Sequence, residues 1–238
     1  MYERTLEPEI LDFLPAEDPR AMGARRDLRV LNAVMLQSRA MSRLLRWTCG
    51  EKAPRRIVEL GGGDGSFVVS LAKRLSRRWP GVTVMSIDRQ SIVTEKTREA
   101  VRREGWQLEP VQSDVFEFLA NSRIASADAV IANLFLHHLS AEQLHFLFAT
   151  AESKTWAFAA CEPRRGPAAL IASRLVWAIG CNAVTRHDAL ASVRAGFRDY
   201  EMSAYFPASL QWELLEFPAF PFTHCFAARR AVSHADHP

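Results

Sequence analysis

Three glycines at alternate positions, Gly61, Gly63 and Gly65, follow the β-rich run Arg56-Ile57-Val58-Glu59-Leu60. Glycines between a strand and a helix let the backbone turn sharply and approach a ligand closely. Glu59 stands beside that turn, where a carboxylate can hold a cationic group directly or through water. Asp88 ends the next strand-like run, and one carboxylate there can accept from both hydroxyls of a ribose. Asp114, with Val115 after it, follows a third run, and Asn133 ends a fourth. The pair His137-His138 comes four residues later. A second polar cluster, Asn182-Ala183-Val184-Thr185-Arg186-His187-Asp188, lies further on. A histidine titrates near pKa ~6.5 and can take a proton from a weakly acidic hydroxyl. His138 and His187 are the two candidate bases. Each of these residues also has a structural reading. Asp88, Asp114, Thr185 and Asp188 stand where helix caps belong, Glu59 suits an ion pair, and the paired histidines suit a positioning role.

The elements that must position these residues follow from the pattern around them. Asp18-Pro19 is a helix start, and apolar residues from Met22 to Leu45 recur at helical spacing with arginines between them. Residues 1–50 therefore read as an amphipathic helical extension, packed on a domain or lying as a lid over a pocket. A strand over 56–60 is followed by a helix from Ser66 to Arg78, closed by Trp79-Pro80-Gly81. Val82 to Ile87 is a second strand, Ser91 to Glu104 a helix, and Gln107 to Gln112 a third strand. Ala127 to Ala132 is a fourth strand, Ser140 opens a helix through Glu152, and Thr155 to Cys161 is a fifth. A long apolar helix from Pro167 to Ile179 and a second from His187 to Gly196 come next. The runs Trp212 to Phe217 and Thr223 to Ala228 are two final strands. Alternating strands and helices with short joints predict right-handed βαβ units and a doubly wound, mostly parallel α/β sheet of seven strands. No linker or repeat divides the chain. One domain over 51–238, with a helical insertion near 163–196, is the simplest account.

The glycine spacing excludes the dinucleotide fingerprint, because G-x-G-x-x-G fails from both Gly61 and Gly63. What stands there is acidic-x-G-x-G-x-G. Val58 to Gly65 resembles the first motif of the class I S-adenosylmethionine-dependent methyltransferases, and Asp88 resembles their second-strand acid. Ser113-Asp114-Val115-Phe116 and the segment Ala129 to Leu139 resemble the family's third and fourth motifs, in the same order. The resemblance covers about residues 55 to 162, and the last two strands suit the family's antiparallel end. It implies a Rossmann-like fold and S-adenosyl-L-methionine as cofactor. Asp88 would take the ribose, Glu59 the methionine ammonium and Asp114 the adenine amino group. Arg89 or Gln90 would cover the adenine ring, and Asn133 would border the methyl group.

Cys161-Glu162-Pro163-Arg164-Arg165 and Asn182 to Phe197 are similar to a bacterial small-molecule subgroup associated with type III polyketide synthases. In outline the chain also resembles methyltransferases of quinone biosynthesis. The acceptor implied is a small, lipophilic phenol, polyketide or quinol, methylated on oxygen or carbon. A protein or nucleic-acid methyltransferase, and an NAD(P)-dependent Rossmann oxidoreductase, are the alternatives. The fourth-strand segment lacks the Asn-Pro-Pro-Tyr or Asp-Pro-Pro-Tyr expected for amino-group methylation of DNA or protein glutamine.

The formal charge is +3, from 30 basic and 27 acidic residues, and only four of the basic ones are lysines. The arginines are dispersed among acids, so no nucleic-acid partner is expected. The longest mostly apolar stretch, Ala168 to Val184, is broken by Arg174 and falls short of a spanning helix, for which ~20 apolar residues are needed. Contact of the N-terminal helices with a membrane surface stays open, as does the choice of monomer or homodimer. The acidic start predicts no secretory signal. Four cysteines without C-x-x-C spacing read as thiols of a cytoplasmic protein, not a zinc site or disulfide frame. The histidines show no ligand spacing with carboxylates, so no metal is expected.

Overall fold

A computed structural model describes residues 3–121 and 127–231; the reading of the chain's start rests partly on Met1 and Tyr2, outside them. Seven strands form one sheet: β1 (Arg56–Leu60), β2 (Thr83–Asp88), β3 (Gln107–Gln112), β4 (Ala129–Asn133), β5 (Ala157–Pro163), β6 (Trp212–Ala219) and β7 (Thr223–Arg230). Their order is β3-β2-β1-β4-β5-β7-β6. The first five run parallel, and β7 enters antiparallel between β5 and β6. The central strands read as apolar runs because both sheet faces are covered. Every residue of β5 is buried. The strand order reverses between β1 and β4, so their carboxyl ends open a crevice, where α/β sheets of this kind bind ligands.

Nine α-helices surround the sheet among the described residues. Before β1 lie α1 (Pro19–Val34) and α2 (Gln37–Cys49). Asp18 caps α1 by accepting from the Arg20 N–H, with Pro19 at the first helical position, as the sequence predicts. Helix α2 packs on β5 and β7 by burying Met41, Leu44 and Leu45. Between the strands come α3 (Ser66–Leu75), α4 (Glu95–Arg103), α5 (Val115–Ala120) and α6 (Ala141–Lys154). Ser140 and Gln143 close a capping box at the start of α6.

Four helical boundaries differ from the sequence reading. Helix α3 stops at Leu75, three residues short of the predicted end. Helix α4 starts at Glu95 instead of Ser91, because the Thr94 side chain caps it by accepting from the Thr97 N–H. The predicted helix from Pro167 to Ile179 ends as α7 (Pro167–Arg174), and a 3₁₀ turn carries the chain over Val176–Ile179. Helix α8 (Ala183–Ala195) starts four residues before His187, with Asn182 accepting from the Thr185 N–H as its cap. Two short helices, α5 and α9 (Glu201–Tyr205), had no periodic signal, being one to two turns long.

Candidate active site

The glycine turn is built around two buried side chains. Glu59, on β1, is buried, and its Oε2 accepts from the Ser86 hydroxyl at 2.7 Å. Gly62 lies against both: a Cβ there would stand 1.6 Å from Ser86 Oγ and 2.6 Å from Glu59 Oε2. Burial, with Asp88 and Asp64 nearby, outweighs the Ser86 hydrogen bond and pushes the Glu59 carboxyl up to about 8. Asp88 ties the turn to β2. Its Oδ2 accepts from the Gly63 N–H at 2.9 Å and its Oδ1 from the Gln90 N–H at 2.8 Å. It is not the cap of α4. A carboxylate oxygen has two lone pairs, so each oxygen keeps one acceptor position beside its backbone bond.

Asp114 has the alternative role as well as the predicted place. Its Oδ1 accepts from the N–H groups of Phe116 and Glu117 and so caps α5, while Oδ2 enters neither bond. Gln90 is held by the N-terminal part of the chain, accepting from Arg25 at 2.7 Å and donating to the Leu14 carbonyl at 3.3 Å. Asn133 donates to Asn32 of α1 at 3.0 Å, and its own buried carbonyl oxygen has no protein partner.

One cavity of about 990 Å³ collects these groups. Glu59, Gly61, Gly63, Asp88, Arg89, Asp114, Val115, Asn133 and His138 all line it. Two predicted residues do not. Gly65 sits behind the turn at φ +73°, at the start of α3, where an added Cβ would stand 2.8 Å from Leu108. His187 is absent from the lining: its side chain is half-exposed, with Nδ1 2.9 Å from Asp188 Oδ1. The helical register explains this: Asp188 and Thr185 face the cavity, which turns His187 away.

The other half of the cavity centres on the 3₁₀ turn Leu136–His138 after β4. Glu162, fully buried at the end of β5, grips this turn. It accepts from the N–H groups of Phe135, Leu136 and His137, and its Oε2 lies 2.7 Å from His137 Nδ1. His137 Nε2 faces Glu9 at 3.3 Å. Burial opposes a charge on this ring, but the hydrogen bonds to Glu162 and Glu9 prevail and hold it up to about 9. Glu9 in turn is held down to about 2: burial would raise it, and His137, His138 and Ser192 overcome that.

His138 differs from its neighbour. Its ring lies 4.2 Å from that of His137, and burial and the His137 charge both lower its pKa. Glu9 Oε2 stands 3.9 Å from its Nε2 and Asp12 Oδ2 3.6 Å from its Nδ1. A neutral imidazole beside a charged one, open to a cavity, is a proton acceptor at neutral pH.

The sequence shows no ligand spacing between these histidines and carboxylates, but the fold gathers one carboxylate and both rings into a cluster that could hold a metal ion. Donor atoms of Glu9, His137 and His138 come within 4.8 Å of one another. Glu9 and Asp12 come from a segment more than 120 residues away in sequence, so no local spacing reveals them. Both His137 nitrogens face carboxylates, an arrangement that suits a ring carrying two protons.

That segment runs over residues 3–14 across the cavity. Asp188 accepts from the N–H groups of Ile10 and Leu11 at 2.8 and 3.0 Å. Arg4 donates to the carbonyls of Ala195, His137 and Leu139. Glu9 also accepts from the Ser192 hydroxyl. Sequence reading missed Glu9, Asp12, Asn32, Gly62, Ser86 and Glu162. Only Gly62 and Glu162 had a local cue, the former inside the glycine run and the latter at the end of a buried strand.

The residues fit an S-adenosylmethionine. Gly62 lets the backbone pass directly against Ser86 and Glu59, where any Cβ would collide, and Glu59 is a buried carboxyl with no basic partner among its hydrogen bonds. Asp88 keeps acceptor positions for a diol, and Asp114 keeps Oδ2 for an amino group.

Residues 57–153 match the model of a methyltransferase domain. No curated protein matches the chain by sequence. Among solved structures it is similar to the plantazolicin methyltransferase BpumL in complex with SAH, with a TM-score of 0.65 at 11% identity over 90% of this chain and 92% of that one. The mitomycin 7-O-methyltransferase MmcR gives 0.55 at 15% identity, over 90% of this chain and 59% of that one. The N,N-8-amino-8-demethyl-D-riboflavin dimethyltransferase RosA from Streptomyces davawensis gives 0.55 at 12% identity, over 94% and 62%. At these identities the structures speak for the fold, and the matched domain speaks for the activity. Residues 57–153 thus match a methyltransferase domain, and the chain has the fold of solved methyltransferases, one of them in complex with SAH.

Proposed function

We propose that the chain methylates a small, lipophilic phenol, polyketide or quinol, on oxygen or ring carbon, with His138 as general base. The observation that carries this reading is the pairing of His138 with an apolar wall in one cavity. Leu28 and Leu31 of α1, Met35 at its end, and Leu175, Val176 and Ile179 after α7 form that wall. Leu175 and Ile179 are also exposed, so the wall continues to the surface, where a greasy acceptor can enter.

Bound S-adenosylmethionine supplies an electrophilic methyl group on sulfur. Glu59 would hold its ammonium, Asp88 its ribose and Asp114 its adenine amino group, with Arg89 and Val115 bordering the base and Asn133 the methyl. The chain's work is then alignment, exclusion of water and removal of one proton. His138 takes the hydroxyl proton, and the phenolate reacts through oxygen or its ring carbon. In this reading residues 1–50 are the lid of a single domain over 51–238, and the segment near 163–196 selects the acceptor.

The four cysteines are free and buried, which supports a reducing cytoplasm as its compartment. No helix among the described residues is long and apolar enough to cross a membrane.

Mass spectrometry of products from a panel of phenols and quinols tests the reading. A product one methyl heavier, formed by the wild type and lost in His138→Ala with cofactor affinity retained, is the expected result. Methylation of protein or nucleic acid with every phenol untouched would overturn it.

A further inference from the structure

The N-terminal segment does more than cover the cavity. It brings two carboxylates to the two ring nitrogens of His138: Asp12 to Nδ1 at 3.6 Å and Glu9 to Nε2 at 3.9 Å. Both distances are longer than a hydrogen bond, so in the resting state the ring is flanked and not gripped. Nothing else in the turn supplies such groups. Glu162 is committed to His137 and to three backbone N–H groups.

We propose that Glu9 and Asp12 are positioning residues for deprotonation of the acceptor, so that the base is complete only when the N-terminal segment lies across the cavity. This rests on the reading of His138 as base. The step balances without a further reagent. The acceptor O–H bond breaks, its proton forms an N–H bond on the His138 ring, and the oxygen's electron pair makes the new bond to the methyl carbon as the methyl–sulfur bond breaks and leaves its pair on sulfur. The positive charge lost at sulfur reappears on the imidazolium between Glu9 and Asp12, until the proton passes to solvent. Two carboxylates so placed stabilise that cation, which exists only after proton transfer. They therefore act more on turnover than on binding.

The charged neighbours of His138 are known from each side. Glu9 and Asp12 face it from the segment, His137 from its own turn and Glu162 from β5. Arg89 and Asp188 act on Asp12. His137 opposes a second positive charge, and Glu9, which touches both rings, is the group that lets the pair share one site.

The segment is held by contacts apart from these two carboxylates. Asp188 fixes the backbone of Ile10 and Leu11, and Arg4 is anchored on four carbonyls and over the Phe197 ring at 4.7 Å. Asp12→Asn therefore removes charge without loosening the segment, and Glu9→Gln removes one of its contacts while Asp188 and Arg4 still anchor it.

The test is the titration of His138 by NMR on ring-labelled histidine, assigned with His138→Gln, in wild type, Glu9→Gln and Asp12→Asn, each saturated with S-adenosylhomocysteine. Loss of either carboxylate should lower the His138 titration by roughly half a pKa unit or more. In parallel, kcat for a methylated phenol should fall about 10-fold with KM changed less than about twofold, and Asp12→Glu should restore it. An unmoved titration, a loss confined to KM, or tight uptake of a divalent ion at Glu9, His137 and His138 would overturn the proposal. If either variant fails to fold, Asp188→Ala, which frees the segment without touching its acids, must show the same shift. If wild type methylates no phenol, the acceptor reading fails, and the NMR arm still decides the role of the two acids.

Discussion

The two halves of the cavity are assembled over different distances along the chain. In the half around the glycine turn, Ser86 reaches Glu59 across 27 residues and Asp88 reaches Gly63 across 25. These are the spans of one βαβ unit, so parallel pairing of β1 with β2 brings the groups together by itself. In the half around the His137–His138 turn, Glu9 meets His137 across 128 residues, Ile10 meets Asp188 across 178 and Arg4 meets Ala195 across 191. No supersecondary unit enforces these contacts. They exist because individual side chains, Asp188 and Arg4 above all, satisfy backbone groups of distant segments. The first half is a consequence of topology, the second of a few polar anchors. The first should therefore be rigid and the second separable from it.

The most severe way to break this contrast is Gly62→Val. Overpacking against Glu59 and Ser86 should weaken S-adenosylhomocysteine binding about 100-fold by calorimetry, corresponding to about 3 kcal/mol. Amide protection of Ile10 and Leu11 should stay at the wild-type level. Parallel loss of that protection would show the halves to be one unit.

Next in size is Glu59→Gln. Because the carboxyl of the free protein titrates at about 8, it carries a proton below that pH, and holding an ammonium requires its release. Wild-type cofactor affinity should fall as pH drops below about 8. The Gln variant should bind about 10-fold more weakly at pH 8 and show a flat profile below it. An unchanged slope in the variant would remove Glu59 from the ammonium site.

The smallest effect belongs to Asp188→Ala, which deletes two charge-assisted bonds to the segment. The kcat for the acceptor should fall several-fold and exchange at Ile10 and Leu11 should quicken, with cofactor affinity unmoved. In the wild type, the His137 imidazolium ties down Glu9. Its folded pKa is raised, so this stabilisation is full below about 6.5 and lost as pH rises through about 9. Protection of the segment should fall in that window. A segment equally protected at pH 7 and pH 10 would show that other contacts hold it.

The same contrast explains what the amino-acid sequence disclosed. Glu59, Gly61, Gly63, Asp88 and Asp114 were legible because each stands at the end of a β-rich run, and such ends converge in a parallel sheet. Asn133 and the paired histidines follow the same logic at β4. Glu9 and Asp12 were not legible, since nothing in Pro8-Glu9-Ile10-Leu11-Asp12 distinguishes an acid bound for His138 from one bound for solvent. His187 stood out as the polar residue with known chemistry, yet one step of helix rotation gives its place to Asp188. Helix α5 was missed for a related reason: Asp114 reads as a ligand residue, and its capping of a six-residue helix adds no periodicity.

The position of β7 bears on how the molecule is made. It is the last of the seven strands along the chain, yet it lies inside the sheet, between β5 and β6. During synthesis β1 to β5 and the cofactor crevice leave the ribosome first and can pair at once. Until β7 emerges, β5 has an open edge and β6 has no sheet to join, since among the described residues it pairs with β7 alone. An apolar open edge is a template for association with other chains. A nascent molecule is most vulnerable in that interval, and early occupation of the crevice would steady the five-stranded intermediate while it waits.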